Sequence, residues 1–135
     1  MFRVITTCYN AENYIENCIS SLQAQQQEGW KCYVVDDMST DSSRELITKM
    51  AEEDSRIVPI FNEERTYQVG NYQKIMALEE IEDDDICLTL DGDDWLPNDK
   101  VLDRLQEAYD HGAWVTYGQF VQWDGEGYTA GFAQA

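Results

Sequence analysis

The 135 residues suffice for one domain with a layered core and leave little room for a second. Twenty-seven acidic residues against nine basic ones give a formal net charge of -18, which argues against nucleic acid or an anionic membrane as partner. No run approaches the ~18 apolar residues of a membrane span, and no secretory leader precedes the first apolar run, so a cytoplasmic location is expected.

Residues 2–8 are short, apolar and β-branched, the pattern of a buried strand. Asn10 is placed to cap a helix over 11–26, whose Tyr14, Ile15, Cys18, Ile19 and Leu22 recur at helical spacing. Residues 31–36 form a second strand. Ser39 or Asp41 then caps a helix with Leu46, Ile47 and Met50 on one face. Residues 56–61 form a third strand, whose Pro59 predicts an edge position. A third helix is predicted over 70–81 and a fourth strand over 86–90. A fourth helix begins near Pro97 and stops before Gly112, and a fifth strand covers 113–121. Strands alternating with helices predict an α/β fold with a mainly parallel central sheet and helices on both faces. Residues 122–135, rich in Gly and Ala, read as a tail after a core of 1–121. Cys8, Cys18, Cys32 and Cys87 form no C-x-x-C pair and read as small hydrophobes kept in a reducing compartment.

In open α/β sheets ligands bind beyond the carboxyl ends of the strands. Thr7, Cys8, Tyr9 and Asn10 follow the first strand, Asp36 and Asp37 end the second, and Asp91, Gly92, Asp93 and Asp94 follow the fourth. Parallel strands bring all three groups to one edge, where five carboxylates repel one another unless a divalent cation joins them. Carboxylate oxygens select Mg2+ or Mn2+ over zinc. Neither glycine-rich phosphate loop is present, so a diphosphate here relies on the metal. Bland readings stand beside these. Asp36, Asp37 and Asp41 can cap the second helix, and residues 91–94 can be a turn. His111 suits a helix C-terminus better than a metal.

The runs Val4-Ile5-Thr6-Thr7-Cys8-Tyr9-Asn10, Val35-Asp36-Asp37-Met38-Ser39-Thr40-Asp41 and Leu90-Asp91-Gly92-Asp93-Asp94 resemble, in order and spacing, family 2 glycosyltransferases of the GT-A fold. The resemblance covers residues 2 to 121. It implies a Rossmann-like GT-A sandwich and a metal-dependent hexosyltransferase with Mn2+ or Mg2+ as cofactor. A UDP-sugar would be the donor, UDP-glucose the first choice. It implies nucleotide contacts from Thr7, Tyr9, Asp36, Asp37, Lys74, Asp91, Gly92 and Asp93, with Tyr9 near the uracil ring and Asp37 accepting its N–H. Asp91, Asp93 and Asp94 would hold the metal, and Asp93 and Asp94 would serve catalysis. Lys74 would face the diphosphate in a segment that lacks the family's common arginine. The family's acceptor half and its general base fall outside these residues. The reading is therefore a minimal or truncated donor core that transfers the sugar or slowly hydrolyses the donor. The acceptor stays unassigned and homo-oligomerisation open. The alternatives are a non-catalytic donor-binding module completed by a partner, or a receiver-like signalling domain.

Overall fold

The computed structural model describes residues 1–130 and divides the chain into two compact units, Met1–Asp103 and Arg104–Ala135. The first unit holds strands β1 (Phe2–Cys8), β2 (Trp30–Asp36), β3 (Ile57–Phe61) and β4 (Ile86–Thr89) in one sheet of order β3-β2-β1-β4. Each neighbouring pair is parallel, with Phe2 opposite both Trp30 and Ile86. Between the strands run α1 (Ile15–Gln23), α2 (Ser43–Glu53) and α3 (Tyr67–Met76).

Alternation along the strands shows that both faces of the sheet are covered. Ile5, Tyr33 and Val35 point to the face where they bury Ile75 of α3. Thr6 and Cys32 point to the other, where the Thr6 hydroxyl lies 3.6 Å from the Cys32 sulfur. On α1, Ile15, Cys18, Ile19 and Leu22 are all buried, a stripe at i, i+3, i+4 and i+7. The two middle strands are buried nearly throughout, which is why their sequences are continuous apolar runs. Pro59 lies on β3, at one edge of the sheet, where its missing N–H costs no ladder bond. The other edge is β4, so Cys87 is exposed where a buried thiol was expected, while Cys8, Cys18 and Cys32 are buried. Burial pushes the Cys32 thiol up to about 12 and keeps it protonated.

Three boundaries differ from the sequence reading. Asn10 does not cap α1; it takes a positive φ of 51°, and its side-chain oxygen accepts the Thr40 N–H at 2.8 Å. Helix α3 starts at Tyr67, three residues before Gly70, because a distant carboxylate takes its first N–H groups. The fourth helix, α4 (Val101–Asp110), starts after Pro97, and Gly112 follows it with φ 88° as the stop signal implied.

The fifth strand expected over 113–121 is absent: residues 113–120 carry no regular structure. A strand is defined by hydrogen-bonded pairing with a neighbour, and residues 113–120 pair with no other strand among the described residues. Instead β5 (Val121–Trp123), which starts at the last residue of the expected strand, pairs antiparallel with β6 (Tyr128–Ala130) in the stretch read as a tail. The turn between them is set by Asp124, whose carboxylate accepts the N–H groups of Glu126 and Gly127, and by Gly125 at φ 97°. The last five tail residues lie outside the described residues. Among the described residues no helix is long and apolar enough to cross a membrane.

Candidate functional site

Backbone hydrogen bonds stitch the ends of the four strands into one edge. The Asp37 N–H donates to Cys8 O at 2.8 Å, the Asn62 N–H to Asp36 O at 3.0 Å, and the Gly92 N–H to Thr7 O at 2.9 Å. The last bond brings the 91–94 loop hard against β1. A Cβ on Gly92 would lie 3.0 Å from Thr7 O and 3.3 Å from both the Cys8 Cβ and the Ile15 Cδ1. Only glycine permits that approach without a shift.

A cleft of about 240 Å³ opens at this edge, lined among others by Thr7, Tyr9, Tyr14, Gln68, Asp91 and Asp93. One ligand atom each from Asp91, Asp93 and Asp94 can lie within 4.8 Å of the others. Partial burial, then the charges of Asp93 and Asp91, hold the Asp94 carboxyl above its ordinary range. Three crowded carboxylates with no basic side chain paired to them among the described residues are a donor set of hard oxygens, which fits Mg2+ or Mn2+.

Asp91 is held from three sides. The Thr7 hydroxyl at 3.4 Å, the Gln68 amide at 2.7 Å and the Tyr72 hydroxyl at 3.1 Å all donate to its Oδ1.

Asp37 is almost fully buried and takes four donors. Its Oδ1 accepts the Thr66 N–H at 2.8 Å and the Asn62 amide at 2.9 Å. Its Oδ2 accepts the Tyr67 N–H and the Arg65 Nε–H, both at 3.0 Å. Burial alone would raise its pKa; the Thr66 N–H, Asn62, the Tyr67 N–H and Arg65 outweigh that and hold it at about 2. The guanidinium of Arg65 also stacks 3.7 Å from the centre of the Tyr9 ring.

The structure thus brings Thr7, Tyr9, Asp91, Gly92, Asp93 and Asp94 to the cleft or its rim, and sets three candidates back. Asp36 is fully buried, and its Oδ2 accepts the Arg44 Nε–H at 2.6 Å. That pair ties β2 to α2 and keeps Asp36 away from the cleft lining. Asp37 lies behind the Arg65 side chain. Lys74 donates to the Asn62 side-chain oxygen at 2.8 Å and so supports the Asp37 network. Asp41 stands one residue before Ser42, the N-cap of α2, and accepts the Ser43 N–H at 3.0 Å, so it supports the start of that helix without being its cap. His111 stays at the C-terminus of α4, its Nδ1 2.6 Å from Glu107 O.

Sequence reasoning missed Asn62, Arg65, Gln68 and Tyr72. The i, i+4 spacing of Gln68 and Tyr72 put both on one helix face and was a usable signal. Nothing local marked Arg65 or Asn62.

Comparison with known proteins gives the family and the fold. Residues 3–135 match the profile "Glycosyl transferase family 2". The chain is 34% identical over 103 residues to the putative teichuronic acid biosynthesis glycosyltransferase TuaG of Bacillus subtilis, covering 76% of this chain and 40% of that protein. It is 31% identical over 127 residues to an uncharacterized glycosyltransferase of Haemophilus influenzae, covering 94% and 50%. The chain thus spans half or less of the length of these relatives. Among solved structures it resembles S. aureus TarS 1-349 with a TM-score of 0.68 and 28% identity, covering 82% of this chain and 32% of that one. The complex of that protein with UDP-GlcNAc gives a TM-score of 0.66 and 26% identity, covering 82% and 31%. The match begins at the third residue and takes in every strand end that lines the cleft, and on that ground the chain belongs to glycosyl transferase family 2.

Proposed function

We propose that this chain binds a UDP-sugar at the carboxyl edge of its sheet, through a divalent cation held by Asp91, Asp93 and Asp94, and acts as the donor site of a hexosyl transfer. The observation that carries this reading is the carboxylate trio, close enough to share one ion. The TarS complex with UDP-GlcNAc supports a UDP-sugar. UDP-glucose and UDP-GlcNAc are therefore the first donors to test.

Bound there, Mn2+ or Mg2+ would stabilise charge on the departing diphosphate. The chain's own residues supply the rest. Tyr9 offers a ring face for the base, beside Thr7. Asp37 is the acceptor for the uracil N3–H, and that contact requires Arg65 to leave Oδ2 and the Tyr9 ring. Asp36 and Lys74 act indirectly, by fixing α2 and Asn62. The buried thiols support the reducing, cytoplasmic compartment.

The cleft of about 240 Å³ is smaller than the ~300 Å³ lower bound of pockets that enclose a ligand, which supports a donor sugar left open to water. Slow donor hydrolysis follows from that openness. One observation favours the second reading, a donor-binding module completed by a partner. Among the described residues the carboxylates lining the cleft are Asp91 and Asp93, which leaves no separate base for an acceptor hydroxyl. The receiver-like alternative falls with the family match.

Calorimetric titration with UDP decides the core of the proposal. Binding should strengthen with Mn2+ and weaken with EDTA; equal affinity in both would refute the metal role.

A further inference from the structure

Asp91 is oriented by a rigid element. The Tyr72 ring packs against the cluster of Ile5, Tyr33, Val35 and Ile75, so the core fixes the position of its hydroxyl. Gln68 lies one turn earlier on the same face of α3. The first N–H groups of that helix are anchored on Asp37. Both side chains end on the same oxygen of Asp91, together with Thr7. A carboxylate offers about four acceptor sites over its two oxygens. Three donors on Oδ1 more than occupy that atom's share of about two and fix the side-chain rotation. The remaining acceptor capacity then belongs to Oδ2.

Resting on the donor-site reading above, we infer that Gln68 and Tyr72 are positioning residues for the cation. They hold Asp91 so that one defined oxygen joins Asp93 and Asp94 in binding the metal. The same helix carries the donors to Asp37, so α3 sets the geometry of the base subsite and of the metal subsite together.

The test is an electron paramagnetic resonance titration of Mn2+ into the full chain with UDP, for the wild type, Tyr72→Phe, Gln68→Leu and both together. Val69→Ala, at an exposed position of the same helix, is the control. Removing partners that orient a metal ligand typically weakens metal affinity about tenfold or more. Each variant should show that loss, with an altered zero-field splitting of the bound Mn2+ and a metal-free unfolding midpoint equal to wild type. Unchanged affinity and spectrum in the double variant would overturn the inference. So would an affinity loss that tracks a lowered midpoint while the spectrum at saturation stays that of wild type. Asp91→Asn separates the two levels. If wild type itself binds no Mn2+ in the presence of UDP, the donor-site reading fails and this inference with it; if wild type binds and Asp91→Asn binds equally well, only this inference fails.

Discussion

Replacing Asp37 by Asn keeps the shape of the side chain and removes its charge. The structure states what that charge holds: the Thr66 and Tyr67 N–H groups, the Asn62 amide and the Arg65 guanidinium, at 2.8 to 3.0 Å. With its folded pKa at about 2 and an unfolded value near 3.8, the ionised carboxyl contributes about 2 kcal/mol of stability at neutral pH. The folded value is the depressed one. The contribution is therefore complete above the unfolded pKa and is lost as pH falls through the folded pKa, and at pH 2 less than about a quarter of it remains. Other acids titrate in the same range, so the quantity to follow is the difference between variant and wild type. Urea unfolding, read by the fluorescence of buried Trp30 and by circular dichroism, should place Asp37→Asn about 2 kcal/mol below wild type at pH 7. The gap should narrow steadily between pH 4 and pH 2. A gap of the same size at pH 7 and pH 2 would refute the reasoning, because it would mean that shape and not charge holds the 62–67 segment.

Three further outcomes are expected. Gly92→Ala forces a Cβ to within 3.0 Å of Thr7 O, so it should cost about 1–3 kcal/mol in urea unfolding and weaken Mn2+ binding in the same protein. Arg3→Ala leaves Asp85 buried without its 2.6 Å partner and should destabilise by about 3 kcal/mol at pH 7. Burial raises the Asp85 carboxyl, but the Glu82 N–H, Arg3 and the N-terminal amine bring it to about 2, so the penalty should shrink as pH falls toward 2, checked by the same unfolding series. In a coupled assay over hours, wild type with Mn2+ should release UDP from a UDP-sugar without acceptor, well below the ~10 per second of a median enzyme, and Asp94→Ala should release none. Donor binding without release would favour the binding-module reading.

Much of the core was legible in the chain itself, because burial on both faces leaves a direct mark on composition. β1 and β2 are buried along nearly their whole length, so their runs are apolar without alternation. Parallel order alone then sends Thr7, Asp37 and Asp91 to one edge, whatever the details of the loops. Pro59 and Gly112 announced an edge and a helix end because each restricts the backbone locally. What tertiary structure decided lies at longer range. Nothing near Asp37 says that its partners come from residues 62–67, and nothing near Tyr67 says that α3 begins there. Arg65 reads as a surface cation until the fold sets it between Asp37 and the Tyr9 ring. Residues 113–120 show the same limit from the other side. Their β-branched and aromatic composition favours a strand, but a strand exists only where another edge receives its hydrogen bonds, and that is a property of the assembled sheet. Side-chain pattern records what is buried; which donor meets which acceptor depends on positions that only the folded chain brings within 3 Å.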